Sequence, residues 1–550
     1  MLMTRLPAKL EKMSEDLSLR IRTVTLLLAA SSLLSRILGY GRDWLITTNF
    51  GANGQTDVYQ ASFTLPDMLN YLLAGGALTV SLLPRMSALY AAEKEGVDRD
   101  VSGLSAGDRA FSIVFTAMTT VTLLLVVIAE FCAEPIIAAW FPGFSPQMVS
   151  DTAHLTRIVL PAQLFFLAGG LVQATLLARQ SFAAMALTPL FYNGGIIVGG
   201  LVGSHLGDIE GFSWGALGGG LVGGLVIPAW SARGKLHFRV IWRPFDPEIR
   251  NFLWTALPLM IGVSLTTVDE WLGKRYGSQL LAGSITWLMT ARRIMLVPIG
   301  LLGQAAGQAT GSFIAKLHAE GQREQLAEVL ASSAAAVVGL SLVFSAFLCA
   351  MAEPTVTLLF QHGKFGVSDS IQTARALVPL SVGIAAWGAQ AVVARAFYGT
   401  GDTWRPMIAT TVVTIGMLPV YAEGAARLGN VGLALAGSFG MTIQVVVLLI
   451  LARQRLGFAA LAFLRQIGKA AGVAFAAAMA IVAVDSACFP ALPSMYATSG
   501  WAAARLVVAG ATWACVVIPM GAAVGMPGIP SVFLRVLSRF KLANAEQQPT

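Results

Sequence analysis

The sequence predicts an all-α integral membrane protein of about fourteen transmembrane helices, built as two parallel six-helix repeats plus two extra C-terminal helices. Of the 550 residues, 56% are hydrophobic and only 12% are charged, whereas soluble domains carry about 25% charged residues. The mean hydropathy is +0.70. A chain this long with so few charges cannot cover the surfaces of several soluble domains, so soluble enzymes and DNA-binding proteins are disfavoured.

Apolar segments long enough to cross a membrane recur along the whole chain. A helix needs about 20 apolar residues to cross a hydrocarbon layer of about 30 Å. Several segments exceed this length, which predicts tilted helices or extensions beyond the bilayer. In order, the predicted spans cover residues 23–48, 57–90, 110–140, 152–180, 184–204, 212–231, 250–272, 280–315, 327–351, 369–398, 405–424, 430–452, 468–488 and 500–523.

Lysines and arginines are concentrated in alternate connections between the spans. They cluster before the first span, in the second, sixth and twelfth connections, and after the last span. The first, third, fifth and thirteenth connections contain neither lysine nor arginine. Because basic residues are retained in cytoplasmic loops, we expect both termini to be cytoplasmic. The formal net charge of +8 then follows from the topology, and no nucleic-acid partner is expected.

Two segments of the chain resemble each other at an offset of about 218 residues. AEPIIAAWFPGF from Ala133 aligns with AEPTVTLLFQHGKF from Ala352, and the stretches that follow share prolines at Pro161 and Pro379. The alignment pairs the third and fourth spans with the ninth and tenth, so the repeated unit contains six helices. Because six is an even number, both repeats have the same orientation. We therefore expect two lobes around a central cavity, which suits alternating access.

The repeat divides the predicted chain into six parts. The last two spans lie outside the symmetry and form an appendage. The basic sixth connection contains prolines that break helices and separates the lobes. The parts are a cytoplasmic N-terminal segment (1–22), an N-lobe (23–232), a cytoplasmic linker (233–249), a C-lobe (250–453), helices 13 and 14 (454–524) and a cytoplasmic C-terminal tail (525–550).

Arginines lie inside predicted spans, where an ionised side chain costs about 2.5–3.5 kcal/mol unless it faces water or a partner. Arg36 and Arg42 of the first span are separated by about 120° around the helix. Arg292 and Arg293 of the eighth span point about 100° apart, so one faces the cavity while the other packs or pairs. Asp269 and Glu270 of the seventh span are the nearest carboxylate candidates, and an ion pair across the two helices is the structural alternative. Guanidinium groups bind phosphate oxygens, which predicts an anionic cargo with a phosphate or pyrophosphate.

Polar residues also interrupt the second predicted span. Asp57 opens this span, and Pro66 bends it and frees backbone groups that a polar cavity can satisfy. Asn70 follows one turn later and either faces the cavity or forms an interhelical hydrogen bond. Asp43, directly after Arg42, is a candidate partner for that arginine.

No motif in the sequence indicates catalysis or a cofactor. There is no GxxxxGK[ST] nucleotide loop, no HExxH and no G-x-S-x-G with plausible partners. The four cysteines lie in apolar runs without ligand spacing, and the five histidines form no cluster. Transport would therefore be coupled to the membrane potential, to an ion or to consumption of the product.

An ordered set of motifs resembles the MurJ/MviN family of the multidrug/oligosaccharidyl-lipid/polysaccharide exporter superfamily. The motifs are SRILGYGRD, GANGQTDVYQASFTLPDML, GSITWLMTARRIMLVPIGLLG, LLFQHGKF and ARAFYGTGDTWRP. The resemblance implies a flippase that moves lipid II, the undecaprenyl-pyrophosphate-linked peptidoglycan precursor, across the bacterial cytoplasmic membrane. It implies lipid II and membrane lipids as partners, with cell-wall synthesis proteins as further candidates, and a protein that works as a monomer.

The family resemblance also implies which residues bind the cargo. It places functional roles on the first-span arginines and on the acidic residue that opens the second span. It favours Arg293 over Arg292, because Arg293 directly precedes Ile-Met as in the family's pattern. The predicted substrate-binding residues are Arg36, Arg42, Asp43, Asp57, Asn70 and Arg293, with Arg292 and Asp269 as further candidates.

The chain departs from the family pattern at three places. Asn70 and Tyr71 stand where the family usually has basic residues, and Gly75 and Leu296 stand where it has glutamates. These departures leave open a flippase for another lipid-linked oligosaccharide or polysaccharide unit. A drug antiporter for organic cations is disfavoured by the intramembrane arginines, and a scaffold that recruits cell-wall enzymes would not need them. A polyprenyl-phosphate glycosyltransferase would need an acidic metal or nucleotide site, which the sequence does not show.

Overall fold

The computed structural model describes residues 5–74, 77–94, 104–261, 265–489, 498–526 and 529. This part of the chain is helical with short connections and contains no strand. Nine helices within it are long and apolar enough to cross a membrane. A tenth span is present if Val367–Val382 and Ile384–Gly399, which are bent by 44°, are counted together. The all-α membrane fold is thus confirmed, while the count of fourteen spans stays a prediction.

The helices form two compact units. Unit 1 takes its described residues from 1–49, 58–140 and 145–261. Its helices are α1 (Arg5–Phe50), α2 (Gly54–Ser62, whose first turn belongs to unit 2), α3 (Thr64–Ala74), α4 (Ala77–Lys94), α5 (Ala106–Trp140), α6 (Pro146–Val159), α7 (Ala162–Ala178), α8 (Ala183–Leu206), α9 (Glu210–Gly219), α10 (Ile227–Ala232) and α11 (Pro247–Ile261), with a π-helical segment at Gly220–Val226.

Unit 2 takes its described residues from 50–57, 141–144 and 262–550. Two short segments of the first half of the chain therefore pack with the second half. The helices of unit 2 are α12 (Leu265–Gly277), α13 (Ser284–Pro298), α14 (Ala305–Ala319), α15 (Arg323–Ala350), α16 (Ala352–Phe360), α17 (Val367–Val382), α18 (Ile384–Gly399), α19 (Trp404–Leu456), α20 (Ala460–Cys488) and α21 (Ser499–Ala523), with a π-helical segment at Ile299–Gln304.

Several predicted spans are broken into shorter helices. The second span becomes α2, α3 and α4, and the eighth becomes α13, a π-helical segment and α14. The eleventh and twelfth spans are joined in α19, which is kinked at Gly429. The α6–α7 break falls next to Pro161, and the α17–α18 break falls one turn after Pro379, so the two aligned segments are interrupted at similar places.

The seventh predicted span is divided between the units, which differs from the predicted start of the C-lobe at residue 250. Helix α11 packs against α3, α4 and α5 of unit 1, whereas α12 packs in unit 2. Ile249 and Phe252 are buried with apolar residues of unit 1, and Glu248 forms an ion pair with Arg85 of α4. These contacts hold α11 to unit 1. Sequence hydropathy cannot reveal them, because it does not specify which neighbours an apolar helix selects.

Helices α8 and α9 pack unusually closely. Glycines occur every four residues on the facing sides, at Gly195, Gly199 and Gly203 of α8 and at Gly211, Gly215 and Gly219 of α9. A Cβ atom at Gly199 would lie only 2.4 Å from the carbonyl oxygen of Gly211. The glycine-rich sequence between 194 and 224 therefore serves helix packing, as small residues commonly do in membranes.

Candidate functional site

Arg42 is held by side chains of α1 and α8 within unit 1. Its Nε donates to Asp43 Oδ1 at 3.0 Å, and its Nη1 donates to Asn193 Oδ1 at 3.4 Å. Asn193 in turn donates to the hydroxyl of Ser35 at 3.3 Å. The Arg42 side chain is 16% exposed and that of Asp43 is 7% exposed. The guanidinium is thus oriented by its neighbours while part of it stays accessible.

Arg36 lies almost two turns before Arg42 on the same helix. Its side chain is exposed, in contrast to the half-buried Arg42. Helical geometry separates the two arginines by about 120° around α1. Both arginines therefore belong to one accessible side of unit 1 only if that side is broad, as the sequence predicted.

Arg292 and Asp269 form a buried ion pair between α13 and α12 in unit 2. Their side chains are 7% and 6% exposed. The hydroxyl of Tyr421 donates a further hydrogen bond to Asp269, and the Arg292 guanidinium lies 4.9 Å from the centroid of the Trp387 ring. Two buried charges persist only when such partners compensate the lost hydration. The sequence left open an ion pair as the structural alternative for Arg292, and the structure contains this ion pair.

Arg293 lies on a different side of α13 from this ion pair. It is only partly buried, and consecutive residues of a helix point about 100° apart. Leu296, one turn later, is 37% exposed. The two adjacent arginines thus have different environments, and Arg293 is the more accessible of them.

Asp57 binds the N-terminus of α13 and is itself 3% exposed. Its Oδ2 accepts a hydrogen bond from the Gly283 amide at 2.7 Å. Its Oδ1 accepts from the Thr286 amide at 2.8 Å and from the Thr286 hydroxyl at 2.7 Å. A carboxylate in this position satisfies amides that a helix N-terminus leaves unpaired and interacts favourably with the helix dipole. Asp57 therefore ties the segment after α1 to the helix that carries Arg293.

Removing the Asp57 carboxylate is expected to destabilise the protein. Loss of an N-terminal cap costs about 0.5–2 kcal/mol, so Asp57→Ala should lower the midpoint of thermal unfolding of the purified protein. Asp57→Asn retains one acceptor oxygen, so its unfolding midpoint should lie between those of the wild type and Asp57→Ala. Asp151→Ala, at an exposed aspartate of α6, provides the matched control. An unfolding midpoint for Asp57→Ala equal to that of the wild type would contradict this role.

Asn70 forms the interhelical hydrogen bond that was one of its two sequence interpretations. Its amide donates to Gln163 Oε1 at 2.9 Å and links α3 to α7. Gln163 is 5% exposed. Asn70 therefore connects helices within unit 1. Gly75, the neighbouring departure from the family pattern, lies outside the described residues.

Several residues that complete these clusters were not predicted from the sequence. Asn193, Gln163 and Thr286 are partners of predicted site residues, as is Tyr421. Asn193, like Asn70, is an amide side chain inside an apolar span. The criterion that identified Asn70 could therefore have identified Asn193. In the described part of the chain, no group of three or more His, Cys, Asp or Glu side chains could hold a metal ion.

Comparisons with known proteins identify a common family. A family model described as lipid II flippase MurJ matches residues 46–505. The probable lipid II flippase MurJ of Buchnera aphidicola is 27% identical over 393 residues, which cover 69% of this chain and 73% of the relative. The corresponding protein of Vibrio cholerae is 26% identical over 438 residues, covering 78% of this chain and 82% of the relative.

Two solved structures share the fold. A lipid II flippase MurJ in an inward closed conformation aligns with a TM-score of 0.74 at 21% identity, covering 93% of this chain and 99% of that chain. An inward-facing multidrug resistance MATE family transporter of the MOP superfamily aligns with a TM-score of 0.64 at 17% identity, covering 77% of this chain and 94% of that chain. Both similarities concern the fold.

Proposed function

Because this chain belongs to the lipid II flippase MurJ family, we propose that it moves lipid II from the inner to the outer leaflet of the bacterial cytoplasmic membrane. The family match over residues 46–505 carries this proposal. The protein is a transporter, since flipping a lipid forms and breaks no covalent bond. From the basic connections we infer that both termini lie in the cytoplasm, and we propose that the protein works as a monomer among membrane lipids, with cell-wall synthesis proteins as candidate partners.

The proposed ligands of the pyrophosphate are Arg36, Arg42 and Arg293. A guanidinium donates two parallel hydrogen bonds to phosphate oxygens and stays charged at all physiological pH values. Partial exposure of Arg42 and Arg293 supports this role, whereas Arg292 is committed to Asp269. Asp43 and Asn193 hold the Arg42 side chain in position, and the polyprenyl tail stays in the lipid.

We propose transport by alternating access, which two parallel six-helix repeats suit. Without a nucleotide site, the driving force would come from the membrane potential or an ion gradient. Each elementary charge moved contributes about 2.3 kcal/mol per 100 mV.

A second candidate cargo is another lipid-linked oligosaccharide. Leu296 is partly exposed on the same helix as Arg293, at a position where the family pattern has a glutamate. Asn70, where the family has a basic residue, is bonded to Gln163. The polar surface available to a head group therefore differs from the family pattern.

Complementation of a conditional lipid II flippase depletion tests the proposal. We expect expression of this chain to restore growth and cell shape and to return lipid II to the outer leaflet. Failure of an abundant, correctly inserted protein would favour the second cargo, and restoring the family residues at Asn70, Gly75 and Leu296 should then recover activity.

A further inference from the structure

We propose that the connection between α10 and α11 binds the anionic head groups of phospholipids at the membrane surface. Residues 236–245 of this connection, here called the strap, are not helical and run along the first turns of α5 in unit 1. The strap is separate from the arginines assigned to the pyrophosphate, so its binding of phospholipids does not depend on the cargo.

The strap is fixed to α5 by a regular series of hydrogen bonds. Backbone amides of alternate strap residues donate to side-chain oxygens that occur every four residues on α5. Two residues of an extended chain advance about 6.6 Å, which matches the advance of about 6 Å over four helical residues. The strap is therefore a docked part of unit 1. The donor and acceptor pairs are His237 with Asp108 at 3.3 Å, Arg239 with Ser112 at 3.2 Å and Ile241 with Thr116 at 3.3 Å.

Apolar side chains of the docked strap are left exposed. The ring of Phe238 packs on α5, with its centroid 4.9 Å from that of Phe115. Val240, Trp242 and Phe245 are instead 76%, 58% and 97% exposed. A group of large exposed apolar side chains on an ordered segment marks a surface that contacts a protein or a membrane.

The exposure pattern of α5 locates the strap relative to the membrane. None of residues 107–119 is exposed, whereas exposed side chains recur along residues 120–140. Residues 120–140 span about 30 Å along the helix, which equals the thickness of the hydrocarbon layer. Thr116 then lies about 6 Å outside this layer and Asp108 about 18 Å outside it. Because the head-group region is about 5–7 Å deep on each side, the Ile241 end of the strap lies at the depth of the head groups.

Basic and aromatic side chains are concentrated near this end of the strap. Arg243 and Arg250 are exposed, as is Trp254 of α11. Residues 233–250 contain five lysines and arginines against two carboxylates. One of these carboxylates, Glu248, pairs with Arg85. The segment therefore presents a net positive charge beside exposed tryptophans.

This combination of groups selects an anionic phospholipid. Clusters of lysine and arginine next to a membrane helix attract anionic head groups, and guanidinium groups bind phosphate oxygens. Exposed tryptophans are typical of the boundary between water and lipid, and a phosphate ion dissolved in water offers them no apolar phase. The basic sixth connection is inferred to be cytoplasmic, so the proposed ligands are phospholipids of the inner leaflet.

Lipid binding by the purified full-length protein tests the proposal. Energy transfer from the tryptophans to dansyl-labelled phosphatidylglycerol, titrated into detergent micelles, measures binding, and labelled phosphatidylcholine is the neutral comparison. We expect the wild type to prefer phosphatidylglycerol, and sodium chloride to reduce this preference by screening. The double variant Arg243→Gln with Arg250→Gln should bind phosphatidylglycerol about tenfold more weakly, because two charges near the head groups are lost. Its binding of phosphatidylcholine should not change.

A second double variant provides the matched control. Arg453→Gln with Arg455→Gln removes the same charge from the twelfth connection, which is inferred to lie on the same side of the membrane, and both arginines are exposed. This variant should bind phosphatidylglycerol as the wild type does. Because all four arginines are exposed, both double variants should keep the thermal unfolding midpoint of the wild type, which verifies that the fold is retained.

The outcomes separate the strap from the proposed function. Equal binding of phosphatidylglycerol by the wild type and by Arg243→Gln with Arg250→Gln would overturn the proposal. An equally large loss in the Arg453→Gln with Arg455→Gln control would also overturn it, since net charge alone would then explain the attraction. Displacement of the lipid by inorganic phosphate at matched ionic strength would do the same. A loss confined to the strap variant supports the proposal, whether or not the chain complements flippase depletion.

Discussion

We expect replacement of Arg293 with glutamate to abolish rescue of a flippase-depleted strain, while the variant still accumulates in the membrane. The substitution removes a guanidinium that we propose binds the pyrophosphate and puts a carboxylate in its place, so attraction becomes repulsion. Because Arg293 is partly exposed, the folded protein should tolerate the change. Growth after depletion and the amount of inserted protein are the two measurements.

Two further variants sharpen this test. Arg293→Lys keeps the charge but loses the planar fork, and should retain only part of the activity. Arg427→Glu applies the same charge reversal at a side chain that is 76% exposed, and should rescue fully. Full rescue by Arg293→Glu would remove Arg293 from the pyrophosphate site.

Replacing the adjacent Arg292 with leucine has a different expected result, which is loss of stability. The substitution leaves Asp269 buried without its counter-charge, and breaking a buried ion pair by removing one partner costs about 3–5 kcal/mol. We expect Arg292→Leu to unfold at a markedly lower temperature or to fail to accumulate. Thermal unfolding in detergent and the level of inserted protein measure this effect.

The Asp269→Leu substitution provides the complementary test in the Arg292→Leu background. Replacing both charges of a buried pair with apolar residues is often neutral or stabilising, so the double variant should regain much of the lost stability. If Arg292→Leu alone were as stable as the wild type, the ion pair would not be a stabilising element of unit 2.

The sequence predicted the membrane fold because composition and hydropathy report directly on the solvent that surrounds each helix. It also narrowed the interpretation of individual residues, since the Arg292–Asp269 ion pair and the Asn70 hydrogen bond were both among the alternatives it raised. It did not predict that Asn193 binds Arg42, 151 positions away in the chain. Such contacts depend on the rotation and register of packed helices, which hydropathy does not encode.

The breaks within spans were predicted less well than the spans themselves. The π-helical segments at Gly220–Val226 and Ile299–Gln304 have no simple composition signal. The role of Asp57 as a cap was also missed, because its partners Gly283 and Thr286 lie in the other half of the sequence. A carboxylate that opens a span can bind a cargo or a distant helix terminus, and only the fold distinguishes these roles.

Transport of lipid II by the purified chain in liposomes tests the central claim most directly. Lipid II is placed in one leaflet, and its head group is detected on the opposite side with and without the protein. We predict that the wild type accelerates its appearance and that Arg293→Glu does not. A well-reconstituted wild type that leaves lipid II in its original leaflet, while moving another lipid-linked oligosaccharide, would contradict the assignment of lipid II as the cargo.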